Sequence, residues 1–132
     1  MKLAQVSALL CASVALLMIG CGKAPSQTYT GKVTLDGIPL EQAGIELRPK
    51  EGGATGVHYG TTNAEGLFTI TEDDTNPITP GEYTVVVDKV PTEMGGKSEV
   101  PDLYRYKEKT PLSLTVADGS TDLAVVELSS KP

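Results

Sequence analysis

The chain has 132 residues, with 17 acidic against 11 basic side chains and a net charge of −6. That length suits one domain, and the acidic balance argues against nucleic-acid binding and against a polybasic membrane patch. Two cysteines and one histidine leave little material for a metal centre or a nucleophilic site.

The first residues are set apart from that domain. Lys2 gives a positive start, and residues 6–19 form an apolar run shorter than the ~20 residues a spanning helix needs. Residues 1–20 therefore read as an N-terminal signal helix rather than a membrane span. Leu17-Met18-Ile19-Gly20-Cys21 resembles the bacterial lipobox, with Met18 where Leu is usual. The resemblance implies cleavage between Gly20 and Cys21 and lipidation of Cys21. Cysteine usage agrees. Cys11 leaves with the leader, so Cys21 is the one thiol of the remaining chain and no intrachain disulfide can form. A diacylglycerol thioether accounts for that thiol. Each buried acyl methylene contributes about 0.8 kcal/mol, and two chains anchor where one does not. Every acidic residue follows Cys21, and Lys2 is the one basic residue before it. The expected partner is thus the membrane, reached through Cys21, and not nucleic acid. Gly22 in place of Asp after Cys21 leans, by analogy with lipoprotein sorting, toward the outer membrane; the expected location is exported, at the periplasmic face of the envelope.

Residues 21–28 are small, polar and aperiodic, as in a tether. Residues 29–35 alternate, with Tyr29, Gly31, Val33 and Leu35 on one face and Thr30, Lys32 and Thr34 on the other. Asp36-Gly37 is a turn, and Pro39 confines the following piece to an edge or a loop. Ile45 and Leu47 point inward in the next run, which Pro49 ends. The glycines of 50–56 mark a loop tip before a strand at 57–61.

Residues 61–87 carry the strongest pattern. Asn63-Ala64-Glu65-Gly66 is expected to close a hairpin, since Asn bonds the backbone locally and Gly takes positive φ freely. Phe68 and Ile70 then share a face, and burying Phe68 is worth roughly 1.5–3 kcal/mol. In the strand after Pro80-Gly81, Tyr83, Val85 and Val87 share one face, and Val86 opposite them predicts cover on both sides. Residues 91–111 form a long irregular segment, of the kind that is functional or mobile. Within it, 101–106 reads as a short helical turn packing Leu103 or Tyr104 on the sandwich edge. Strands at 112–117 and 123–128 close the domain around Asp118-Gly119. Seven strands with frequent turns give an all-β, seven-stranded antiparallel sandwich over residues 29–130.

Several motifs in order sharpen this. Gly31-Lys32-Val33, Gly37-Ile38-Pro39-Leu40, Ala43-Gly44-Ile45, the run from Thr62 through Gly66 and Phe68 to Ile70, and Pro80-Gly81-Glu82-Tyr83-Thr84-Val85 together resemble the carboxypeptidase regulatory-like domain family. The match covers about residues 29–90. Pro101 to Leu114, with Tyr104, is similar to the C-terminal part of small bacterial lipoproteins of this kind. The resemblance implies a transthyretin-like (prealbumin-like) sandwich acting as a non-catalytic accessory module, without cofactor. The related hydroxyisourate hydrolases need several histidines and a C-terminal Tyr-Arg-Gly-Ser; this chain ends Leu128-Ser129-Ser130-Lys131-Pro132.

Other constellations are thin. His58, flanked by Val57 and Tyr59 on a strand, has no second His and reads as structural or as a surface residue. The oxygen-rich loop 72–76 lacks EF-hand spacing and reads as solvated, with calcium the minority reading. Ser113 and Ser120 have no base nearby in sequence. Tyr104, Arg105 and Tyr106, with Lys107, are the candidate ligand contacts, aromatics beside donors suited to a glycan, although core packing and plain loop exposure explain them better. The expected function is a lipid-anchored binding or structural module of the envelope, with a carbohydrate- or peptidoglycan-binding module using the 91–111 loop as the alternative.

Overall fold

The computed structural model describes residues 26–50 and 56–131. The expected signal segment, Gly20, Cys21 and most of the expected tether lie outside these described residues. The described chain forms two facing β-sheets with a single turn of helix at one edge.

The first sheet is built on β1 (Thr28–Leu35). Its first half pairs antiparallel with β5 (Leu67–Thr71), from Thr28↔Thr71 to Lys32↔Leu67. Its end pairs with the two-residue β2 (Ile38–Pro39), a short edge piece as Pro39 requires. β8 (Asp122–Leu128) lies along the other side. The second sheet has the order β4 (His58–Thr61), β3 (Gly44–Pro49), β6 (Gly81–Asp88), β7 (Ser113–Val116), each pair antiparallel.

The core is the inward set the alternation marks: Tyr29 and Val33, Ile45 and Leu47, Phe68 and Ile70, then Tyr83, Val85 and Val87, all buried. Val86 is buried as well, on the other face of β6, so that strand is covered on both sides. Gly31 sits where the Phe68 ring crosses the sheet; a Cβ there would lie 2.4 Å from Phe68 Cζ.

Three features depart from the sequence reading. The sandwich is not wholly antiparallel, because β1 and β8 run parallel, Thr30↔Asp122 to Leu35↔Leu128. β7 finishes at Val116, opposite Gly81, at the end of the sandwich where β1 begins. A short connection from there into the first sheet leaves β8 only the direction of β1. The expected 61–67 hairpin is instead an arch between sheets: Thr61 pairs with Gly44 in one and Leu67 with Lys32 in the other. Among the described residues there are eight strands where seven are expected, the extra one being β2.

The pairings define two ends. Thr28, Thr71, Gly81, Val116 and Asp122 lie at one; Leu35, Gly44, Thr61, Leu67, Asp88 and Leu128 lie at the other. Gln27 is fixed at the first end, where its carbonyl accepts the Glu72 N–H at 3.1 Å.

Candidate functional site

The long segment after β6 is organised by one carboxylate. Asp88, the last residue of β6, accepts three hydrogen bonds on Oδ1: the Lys89 N–H at 2.8 Å, the Ser98 hydroxyl at 3.1 Å and Arg105 Nε at 2.8 Å. Arg105 also donates to Asp102 Oδ1 at 2.7 Å, across the one-turn helix α1 (Asp102–Arg105). The bond from Asp88, then that from Asp102, raises the pKa of the Arg105 guanidinium above its already high usual value. A Lys89–Glu99 ion pair at 3.2 Å closes the base of the loop. The segment ends where Thr110 donates from its hydroxyl to the Val85 carbonyl at 2.8 Å.

The three candidate contact residues divide accordingly. Tyr104 is buried in the core, and its hydroxyl accepts the Ser129 N–H at 3.1 Å. At 5% exposure Tyr104 has no free face for a sugar. Arg105 is held by two carboxylates. Tyr106 is 45% exposed, with Lys109 Nζ at 5.1 Å and Arg105 Cζ at 5.8 Å from its ring centroid. The arrangement offers one aromatic surface bordered by cations, which suits stacking.

His58 is buried on β4, with its ring edge-on to Tyr83 at 6.3 Å and 63°. Burial lowers its pKa, against a weaker opposing pull from Asp73 and Glu72. Its Nε2 has no hydrogen-bond partner. It packs beside Tyr83, whose hydroxyl donates to the Thr79 carbonyl at 2.7 Å.

In the 72–76 loop the Glu72 and Asp73 carboxylates accept from backbone N–H groups. Glu72 Oε2 accepts the Ile78 N–H at 3.1 Å, and Asp73 Oδ1 accepts the N–H groups of Thr75 and Asn76 and the Thr75 hydroxyl. Those bonds, Thr75 first, hold the Asp73 carboxyl below its usual range. Among the described residues no three His, Cys, Asp or Glu side chains converge as a metal-holding group, and no helix is long and apolar enough to cross a membrane.

Sequence reasoning missed an open cleft where the ends of β3 and β6 meet the segment after α1. Arg48, Lys50, Val57, Tyr83, Glu82 and Lys107 line it. Each of its cations has a carboxylate neighbour: Glu46 for Arg48, Glu82 for Lys50 at 3.8 Å, Glu108 for Lys107 at 3.9 Å. No motif announces the cleft, because its walls come from four separated stretches.

No protein-family model and no curated protein matches this chain. Among solved structures it is similar to a 9R-lipoxygenase from Cyanothece PCC8801, at 19% identity and a TM-score of 0.44. The similarity covers 78% of this chain and 16% of the lipoxygenase. At that level it bears on neither the fold family nor the activity.

Proposed function

We propose that this chain is an exported, lipid-anchored, non-catalytic β-sandwich of the transthyretin-like, carboxypeptidase regulatory-like type, serving as a binding or structural module of the bacterial envelope. The observation that carries the reading is the apolar leader ending at Gly20-Cys21, with no other cysteine after it. Two features of the folded body support it. β1 begins at Thr28, so only a short tether separates the sandwich from Cys21. His58 is buried beside Tyr83, and the Glu72 and Asp73 carboxylates of the 72–76 loop are engaged by backbone N–H groups.

The test is fractionation. The wild-type chain is expected in the membrane pellet after a carbonate wash, and Cys21→Ser in the supernatant. A Cys21→Ser chain that stays in the pellet refutes the anchor.

A second reading, glycan binding, is favoured by one observation, the exposed Tyr106 ring beside Lys109 and Arg105. Tyr106→Ala should then abolish retention on peptidoglycan or on a glycan array while leaving the fold intact. Tyr104→Ala is the wrong variant for that purpose, since it removes a core side chain.

A further inference from the structure

The loop between β6 and α1 carries two conspicuous apolar side chains, Val90 at 79% exposure and Met94 fully exposed. On a lipid-anchored protein such a tip would suit insertion into the bilayer interface. The topology argues the opposite. We infer that the sandwich is held with this tip pointing away from the membrane, and that the end carrying the 72–79 and 117–121 connections faces the lipid. The inference rests on the lipid-anchor reading above and adds an orientation to it.

The tether leaves from the Thr28 end. Gln27 is already tied there, because its carbonyl takes the Glu72 N–H at 3.1 Å and its N–H reaches Glu72 Oε1 at 3.4 Å. The stretch that can separate Cys21 from the sandwich therefore runs from Cys21 to Gln27. Its six residue steps span at most about 20 Å when fully extended.

The Val90–Met94 tip begins at the opposite end. Asp88 pairs with Gly44, which pairs with Thr61, and all three stand at the far end of the strands from Thr28 and Thr71. The eight residues of β6 alone separate the two ends by roughly 23 Å. The tip lies farther still, and the Asp88 bonds to Ser98 and Arg105 with the Lys89–Glu99 pair hold it there. A second tie agrees. Tyr104 of α1 receives the Ser129 N–H just past Leu128, at the same far end of the other sheet. With the strands upright on the membrane, turning the tip to the bilayer would need a link longer than about 20 Å.

Charge opposes close approach of the tether end to anionic lipid, so it sets a stand-off and not the orientation. Exposed Asp73, Asp74, Asp118 and Asp122 sit at the tether end, where anionic lipid repels them. That end faces the bilayer at a stand-off, and the Val90–Met94 tip is presented to the aqueous compartment.

The test uses the lipidated chain extracted from its membrane and reconstituted in vesicles of zwitterionic and anionic phospholipid. The Cys21 thiol is blocked by its lipid, so an introduced cysteine is unique. Ala117→Cys reports the tether end and Met94→Cys the tip, each labelled with a fluorophore and quenched by an acceptor on the lipid headgroups. Quenching several-fold stronger at position 117 than at 94 is expected. Equal quenching, or stronger quenching at 94, overturns the orientation. Vesicle flotation reports the anchor separately. Wild type that floats while Cys21→Ser does not, with equal quenching at both positions, sinks the orientation and spares the anchor. Wild type that fails to float sinks both. The Val90→Asp/Met94→Asp chain should float as wild type does, and loss of flotation would show that the tip binds lipid.

Discussion

His58 shows how one side chain sets a pH dependence. Burial favours its neutral form, so its pKa in the folded state lies below the ordinary 6.5. The unfolded chain then binds the proton first as pH falls, and this contribution to stability is complete above 6.5 and shrinks below it. The urea midpoint is expected to fall between pH 8 and pH 5, and His58→Phe should flatten that fall. Asp36 and Asp73, both with lowered pKa, lose their contributions only as pH drops below 3.8, a separate window. Thr62 illustrates a different dependence. Its buried hydroxyl donates to the Leu40 carbonyl at 2.5 Å and accepts the Ala43 N–H at 2.9 Å. Thr62→Val keeps the shape but orphans that N–H, at a cost of about 1–3 kcal/mol in a urea titration. Gly31→Ala would push against the Phe68 ring and should cost a similar ~1–3 kcal/mol. The alternation of residues 29–35 puts Gly31 on the inner face; that it accommodates a ring from β5 is visible only once β1 and β5 pair.

Among the elements, the segment between β6 and β7 depends on Asp88. Its three accepted bonds gather residues 89, 98 and 105, and the exposed surface of Asp88 limits what they add to global stability. Asp88→Ala should therefore change the unfolding midpoint little while speeding tryptic cleavage at Lys89 and Lys97 several-fold, as a loosened loop opens locally. Unchanged cleavage would show that the loop is held by something else. The sequence marks this segment as irregular with a helical turn near Tyr104, and the structure has that turn. It could not mark Asp88 as the hub, since nothing local distinguishes one strand-ending aspartate from another. Residues 123–128 read in sequence as a plain closing strand. Ala124 instead takes φ 60°, its N–H bonded to Asp122 Oδ1 at 2.8 Å, and the register to β1 shifts between Thr30 and Lys32. This bulge turns Leu123 and Val126 both inward and leaves Val125 exposed.

At the scale of the whole molecule, the sandwich is closed by contacts that start at Tyr29. A chain beginning at Ser26 should give a β-type circular dichroism spectrum and one cooperative transition. A chain beginning at Lys32 loses Tyr29 and most of the β1–β5 ladder, and should show neither. The amino-acid sequence by itself determined the strand-forming runs, their inward faces and the apolar run that ends just before Gly20-Cys21, because alternation, turn residues and hydropathy are local properties of the chain. Only the tertiary structure decided that the 61–67 turn arches between sheets, that β8 runs parallel to β1, that Tyr104 belongs to the core while Tyr106 faces solvent, and that Gln27 and the Val90–Met94 tip stand at opposite ends. Those outcomes depend on which strands become neighbours, and neighbours distant in sequence are chosen by the packing of the whole core.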